Sequence, residues 1–145
     1  MSGLFGVVSK NSCISSLYYG TDYHSHLGTE YGGIAFIKKN KIPVKKIHDI
    51  SNSQFKSKFY EGSDKIKSKM GIGVISDKDP QPLNFEGKYG HYAICTAGLV
   101  TNKEELAKWL IKRGVSFSEI DSGDVNTTEL VALLINQGES IIDGI

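Results

Sequence analysis

Five stretches of the chain have the short, apolar or alternating pattern of β-strands. They are Gly3–Val8, Met70–Ser76 and residues 33–38, 41–50 and 91–96. The basic segment 38–41 separates two of these stretches and predicts a hairpin loop whose lysines protect a sheet edge. Between residues 76 and 91, Pro80, Pro82 and Gly87 predict a loop. The strands at 70–76 and 91–96 are expected to be central ones.

Helical spacing of apolar residues predicts one helix over residues 14–26 and two further helices near the end of the chain. Asn102 with Glu105, and Asn126 with Glu129, match the capping box in which two side chains satisfy backbone N–H groups of the first turn. The apolar faces that follow run to residues 114 and 138. Residues 51–69 are polar with spaced apolar positions, which predicts short surface helices. Together these elements indicate a mixed α and β domain.

Composition excludes several classes of protein. A chain of 145 residues with 39% hydrophobic and 23% charged residues is expected to fold as one domain. Its 17 basic and 16 acidic side chains give a net charge of +1, so no global field favours nucleic acid or a membrane surface. The chain lacks an apolar run of membrane-spanning length and a signal-peptide pattern, which predicts a cytoplasmic protein.

Motifs for metals and cofactors are weak. Cys13 and Cys95 are too few and too far apart for a metal ribbon, and we expect free thiols packed as small apolar groups. Asp22, His24 and His26 could bind zinc from an extended segment, but a fourth ligand is missing and a helix would separate them. We therefore expect no metal and no cofactor. Lysines between residues 56 and 69 could bind an anion, although scattered lysines usually form a solvated face.

Ser2 lies immediately before the first predicted strand. A hydroxyl there can act as a nucleophile whose base is its own α-amine, once Met1 is removed. Position alone does not establish this role, but the order of motifs along the chain supports it. These motifs are Ser2-Gly3-Leu4-Phe5-Gly6, His24-Ser25-His26-Leu27-Gly28-Thr29, Gly32-Gly33-Ile34, Gly71-Ile72-Gly73-Val74, Gln81-Pro82-Leu83, Ala97-Gly98-Leu99-Val100-Thr101-Asn102 and Asn126-Thr127-Thr128-Glu129.

In this order the motifs resemble those of the N-terminal glutaminase domain of the amidophosphoribosyltransferases, which are class II glutamine amidotransferases of purine biosynthesis. The resemblance implies an α+β fold of the N-terminal-nucleophile type, a four-layer α-β-β-α sandwich. It also implies that the domain continues beyond residue 145 and is followed by a phosphoribosyltransferase domain that residues 1–145 do not contain. We therefore expect a truncated glutaminase-like domain, completed by further chain or by a partner, and compatible with a homo-oligomer.

The catalytic positions implied by the resemblance are altered. Ser2 stands where the family has its nucleophilic cysteine, and a hydroxyl is the poorer nucleophile because its pKa is far higher. The family's oxyanion hole uses an asparagine side chain and a glycine backbone amide, which match Ala97 and Gly98 here. One of the two donors is therefore replaced by a methyl group.

The implied substrate-binding positions are His26, Gly28, Ser76, Ala97 and Thr127. His26 and Gly28 match the family, but the arginine between them is a leucine. The arginine that holds the α-carboxylate of glutamine falls near Ser76, which is followed by aspartates that would repel a carboxylate. The acidic partner of the α-amino group matches the neutral Thr127.

Three hypotheses follow. The first is an amidophosphoribosyltransferase-like domain with a degenerate, non-catalytic or regulatory glutaminase site. The substitutions at the nucleophile, the oxyanion hole and the two charged substrate contacts favour it. The second is an active glutaminase in which Ser2 attacks the glutamine amide and releases ammonia. The third is a metal- or anion-binding module. Glutamine or a related small molecule is the expected ligand of the first two, whereas nucleic acid and membrane are not expected partners.

Overall fold

The computed structural model describes residues 2–26, 30–59, 65–121 and 123–145. Its strands are β1 (Gly3–Val8), β2 (Tyr31–Ile37), β3 (Pro43–Asp49), β4 (Met70–Ser76), β5 (Leu83–Gly87), β6 (Gly90–Ile94), β7 (Ile120–Asp121) and β8 (Asp124–Val125). Its helices are α1 (Ile14–Tyr23), α2 (Phe55–Phe59), α3 (Lys103–Lys112) and α4 (Thr127–Ile135). The mixed class expected from the sequence is confirmed.

The larger sheet is antiparallel and has the strand order β1-β4-β2-β3. Its central strand β4 pairs with the first strand of the chain, and the register places Gly3 opposite Ile75. On its other side β4 pairs with β2, with Gly33 opposite Val74. The β1–β4 pairing therefore brings the start of the chain beside residues more than seventy positions later.

Helices α1 and α2 cover one face of this sheet. Alternate side chains of the strands point to that face and pack against the helices. The core formed there includes Ile34, Phe36 and Ile75 from the strands and Leu17, Phe55 and Phe59 from the helices. Glycines let the helix approach closely, because a Cβ on Gly71 would lie 2.6 Å from Leu17 Cδ2. A Cβ on Gly73 would lie 1.8 Å from Thr21 Oγ1. The close approach of α1 thus depends on the small residues of β4.

The hairpin of β5 and β6 lies against the opposite side of the larger sheet. It contacts β3, where Asn84 Nδ2 donates a hydrogen bond to the Pro43 carbonyl at 2.8 Å. Helix α4 packs on β5, and α3 packs on α4 around Leu110, Leu130 and Leu133. The order of layers is therefore helices, larger sheet, hairpin and helices, which confirms the expected α-β-β-α arrangement.

The hairpin covers the larger sheet only in part. A cavity of about 390 Å³ lies between β6 and the exposed part of β1 and β4, and it is lined mostly by apolar side chains. Leu4 and Val8, which alternate along β1, are 43% and 79% exposed. The two sheets therefore meet along β3 and diverge toward β1.

Several sequence predictions need correction. The predicted loop between residues 76 and 91 contains β5, because Leu83 and Phe85 alternate with polar residues and the two prolines precede the strand. Helix α1 ends at Tyr23, three residues earlier than predicted. The other predicted strands agree to within a few residues, and Gly3–Val8 and Met70–Ser76 agree throughout.

The two capping boxes are also not formed as predicted. The Asn102 side chain makes no cap hydrogen bond at the start of α3. Asn126 does cap α4, because its Oδ1 accepts from the backbone N–H groups of Thr128 and Glu129 at 2.9 and 3.2 Å. However, the Glu129 carboxylate accepts from Ser118 and Glu119 at 2.7 and 2.8 Å instead of from the cap residue. It therefore fixes the chain that leads into β7.

We predict that Gly33→Ala strongly destabilises the fold. A Cβ on Gly33 would lie 1.9 Å from the Gln81 carbonyl oxygen and 2.5 Å from Pro82 Cδ, and this backbone cannot move aside cheaply. Overpacking of this kind lowers the free energy of unfolding by about 2–3 kcal/mol. Urea denaturation followed by circular dichroism measures the change.

Gly6→Ala is the matched control. Gly6 lies in the same sheet, and a Cβ there meets no atom within 4 Å. Its free energy of unfolding should change by less than about 0.5 kcal/mol. Equal effects of the two substitutions would contradict the tight packing at Gly33.

Candidate functional site

Ser2 and Asp77 form the first contact of the candidate site. The Ser2 hydroxyl donates a hydrogen bond to Asp77 Oδ1 at 2.9 Å. The contact arises because β1 and β4 are antiparallel, so that the start of one strand lies beside the end of the other. A carboxylate therefore accepts a hydrogen bond from the hydroxyl of the predicted nucleophile.

Ser76 lies at the end of β4 and is buried. Its Oγ accepts hydrogen bonds at 3.4 Å from the Lys78 backbone N–H and from Gln81 Nε2. Both contacts are long, but they turn the hydroxyl toward the protein interior. The sequence prediction that Ser76 contacts substrate directly stays a prediction.

Gln81 connects three elements at this end of the molecule. Its Nε2 donates to the Thr96 carbonyl at 3.0 Å, and its Oε1 accepts from the Thr96 N–H at 2.8 Å. The same Oε1 accepts from Thr128 Oγ1, in the first turn of α4, at 3.0 Å. We call Ser76, Gln81, Thr96 and Thr128 the Gln81 network. Sequence reasoning used Gln81 only as part of a motif and assigned it no role in the site.

The segment after β6 carries the two predicted oxyanion positions. Ala97 and Gly98 are exposed, and Thr96 immediately before them is held by Gln81. Gly98 has a φ of 147°, which disfavours any residue with a Cβ although the surrounding space is open. The backbone conformation of this turn therefore requires glycine at position 98.

Thr127 opens helix α4 and contacts a second carboxylate. Its backbone N–H donates to Asp79 Oδ2 at 3.3 Å. Asp79 belongs to the loop after β4, so the hydrogen bond ties that loop to the helix. Ser2, Ser76, Gly98 and Thr127 are thus gathered at one end of the two sheets, through their own contacts or those of neighbouring residues.

His26 is not placed with this group. His26 is exposed in the turn after α1, where its ring centroid lies 5.9 Å from that of Tyr23. It lines a separate cavity of about 630 Å³ with residues 50–56. Gly28 lies outside the described residues.

Two carboxylates lie near the gathered residues. Asp77 and Asp79 supply carboxylates, whereas Lys78 between them extends toward Asp124, with 3.7 Å between Nζ and Oδ2. The chain has one arginine, Arg113, whose guanidinium carbon lies 3.9 Å above the ring centroid of Trp109 at the end of α3. The described residues of the gathered group therefore include no arginine that could hold an amino acid carboxylate in a bidentate contact.

The zinc hypothesis gains no support from the described part of the chain. Within residues 2–26, 30–59, 65–121 and 123–145, no three His, Cys, Asp or Glu side chains are grouped to hold a metal ion. Asp22 belongs to α1 while His24 and His26 follow in a turn, so the extended geometry that the hypothesis needs does not form. The helices of these residues also include none long and apolar enough to cross a bilayer.

Both cysteines are free thiols, as the sequence predicts. Cys13, immediately before α1, is buried, and desolvation raises the pKa of its thiol. Cys95 immediately precedes Thr96, and burial raises the pKa of its thiol to about 11. At neutral pH the thiol beside the candidate site is therefore protonated and weakly nucleophilic.

We predict that Cys95 in the folded chain reacts slowly with a disulfide reagent. With a pKa of about 11 instead of 9.0, the thiolate fraction at pH 8 is lower by about a hundredfold. The labelling rate should rise by about tenfold per pH unit up to about pH 11. Stopped labelling followed by peptide mass spectrometry measures the rate at each cysteine, with the urea-unfolded chain as control. A native rate equal to the unfolded rate would contradict the burial of this thiol.

The known proteins that this chain resembles are class II glutamine amidotransferases. No family model matches the chain. It is 30% identical over 130 residues to a glutamine–fructose-6-phosphate aminotransferase of Cyanidium caldarium, an alignment that covers 81% of this chain and 20% of that protein. It is 25% identical over 151 residues to an amidophosphoribosyltransferase of Methanocaldococcus jannaschii, covering 97% of this chain and 31% of that protein.

Solved structures give the same result for the fold. The chain superimposes on the glutamine phosphoribosylpyrophosphate amidotransferase of B. subtilis, complexed with ADP and GMP, with a TM-score of 0.77 and 24% identity. It also superimposes on an allosteric regulatory enzyme of purine biosynthesis with a TM-score of 0.79 and 22% identity. Both alignments cover 100% of this chain but only 31% and 32% of those chains. The chain thus spans between a fifth and a third of the length of these relatives.

Proposed function

We propose that this chain, which resembles class II glutamine amidotransferases in sequence and in fold, is an amidophosphoribosyltransferase-like domain that does not hydrolyse glutamine. Its role would be structural or regulatory within a larger assembly of the purine biosynthesis family. A phosphoribosyltransferase domain, on the same chain or on a partner, is the expected neighbour. The assignment of Ser2, Gly28, Ser76, Ala97, Gly98 and Thr127 to the site is part of this proposal, whereas His26 lies at a separate cavity.

The observation that carries the proposal is that the gathered site has no arginine to hold the substrate carboxylate, since Arg113 is the one arginine of the sequence. Glutamine presents both an α-carboxylate and an α-ammonium group, and an amidotransferase must hold the carboxylate while the side-chain amide reacts. Here Asp77 and Asp79 lie at this end of the sheets, and the single arginine stacks on Trp109 instead. Without an arginine to hold its α-carboxylate, glutamine binds more weakly in both the ground state and the transition state.

The expected reaction chemistry is weakened as well. The Ser2 hydroxyl donates a hydrogen bond to Asp77, and a carboxylate is too weak a base to deprotonate an alcohol. Ala97 has no side-chain donor for an oxyanion, and loss of one such donor costs about 10²–10³ in kcat. Weaker binding and slower chemistry act together against glutamine hydrolysis.

A second candidate function is glutamine hydrolysis by Ser2. The 2.9 Å hydrogen bond from Ser2 Oγ to Asp77 favours it, because this contact orients the hydroxyl beside a proton acceptor. If Met1 is removed, the α-amine of Ser2 supplies a stronger base with a pKa of about 8. The Gly98 backbone amide would then be the remaining oxyanion donor.

We predict that glutamate release from glutamine by the wild-type chain equals that of Ser2→Ala. The assay compares wild type, Ser2→Ala and Ser2→Cys, each alone and mixed with the phosphoribosyltransferase domain of an amidophosphoribosyltransferase. Ser2→Cys should also stay at the Ser2→Ala background, because a better nucleophile restores neither the carboxylate clamp nor the second oxyanion donor.

Intact mass of the same samples reports whether Met1 is present, and hence whether the Ser2 amine is free. Release by the wild type that disappears in Ser2→Ala would overturn the proposal and establish the second candidate. Release by Ser2→Cys alone would overturn the argument from the clamp and oxyanion positions.

A further inference from the structure

The side chain of Gln81 pairs with the backbone of Thr96 as a neighbouring strand would. Its amide nitrogen donates to the Thr96 carbonyl at 3.0 Å and its amide oxygen accepts from the Thr96 N–H at 2.8 Å. Thr96 follows the end of β6, two residues beyond the last pair of the hairpin ladder. A single side chain thus satisfies both backbone groups of a residue that the ladder no longer reaches.

The rest of the network fixes the direction of each hydrogen bond. Thr128 Oγ1 donates its one proton to Gln81 Oε1 at 3.0 Å. The 2.7 Å contact between the hydroxyls of Thr96 and Thr128 must then be donated by Thr96. The second proton of Gln81 Nε2 points to Ser76 Oγ at 3.4 Å. Every donor and acceptor site of the amide is used, which only an amide group of this length can achieve.

The backbone of Gln81 is fixed by its contact with strand β2. Its carbonyl oxygen and Pro82 pack against Gly33 of β2 so closely that a Cβ there would lie 1.9 Å from the oxygen. The side chain is 4% exposed and extends from this anchored point between the turn after β6 and the start of α4. Gln81 is therefore held rigidly at both ends.

From these contacts we propose that Gln81 is the positioning residue of the candidate site. By pairing with Thr96 it holds the turn that carries Gly98 in place, and through Thr128 it ties that turn to the helix that begins with Thr127. This inference deepens the proposed function, because the turn is the oxyanion position only if the site is amidotransferase-like. The positioning itself is independent of whether glutamine is hydrolysed.

The test compares amide hydrogen exchange, followed by NMR, in wild type, Gln81→Met and Gln81→Glu. Gln81→Met keeps a side chain of similar length but removes all four of its hydrogen bonds. The protection of the Thr96 amide should then fall by about tenfold or more. Protection of the amides of β4 that pair with β2 should stay within about twofold of wild type. The Gly98 amide resonance should shift in the same variant.

Gln81→Glu separates positioning from general destabilisation by its pH profile. When protonated, the carboxyl group that this variant introduces can donate to the Thr96 carbonyl and accept from the Thr96 N–H, whereas its ionised form repels that carbonyl and separates the pair. Burial raises the pKa of the introduced group, so that it becomes protonated between pH 8 and pH 5. Thr96 protection in Gln81→Glu should therefore recover as the pH falls from 8 to 5, and Gln81→Met should show no such recovery. Gln137→Glu, at an exposed glutamine after α4, is the matched control and should behave as wild type at every pH.

Unchanged Thr96 protection in Gln81→Met would overturn the proposal. A loss of protection spread equally over β4 would also overturn it, because that result indicates only global destabilisation. If Gln81→Met does not fold, the pH profile of Gln81→Glu decides alone, and a flat profile counts against positioning. Glutamate release by the wild type would overturn the proposed function but leave the exchange result in force, so the two failures are distinguishable.

Discussion

Close contact between layers at glycine positions is the constraint on which the rest of this structure depends. On one face of the larger sheet, Gly71 and Gly73 let α1 approach the central strand. On the other face, Gly33 accepts the backbone of Gln81 and Pro82 at a distance that no side chain would allow. Because packing is tight on both faces of the same sheet, the position of the Gln81 network follows from the position of the strands.

Local pattern was sufficient where an element is defined by its own residues. The strands Gly3–Val8 and Met70–Ser76 carry continuous apolar character, and their bounds agree with the structure. Local pattern failed where a distant residue decides the outcome. Glu129 matches a capping box, but its carboxylate contacts Ser118 and Glu119 instead, and sequence spacing contains no information about that competition.

The candidate site divides in the same way. Resemblance to a family identified Ser2, Ser76, Gly98 and Thr127, and the fold gathers these residues at one end of the sheets. The hydrogen bonds of Asp77, Asp79 and Gln81 could not be predicted, because each joins separate elements. Gln81 reaches residues 15 and 47 positions away. Such contacts exist only after the β1–β4 and β5–β6 pairings have formed.

The dual use of Gly33 and Gln81 has an evolutionary consequence. Both residues belong to the motifs that reveal kinship. Gly33 is required for close packing, and Gln81 hydrogen-bonds the segment after β6, whatever reaction takes place beside them. Selection for these contacts alone would keep both residues, even where residues that touch a substrate are substituted. Sequence signatures of this kind therefore record the ancestry of a scaffold, independently of the chemistry that the scaffold supports.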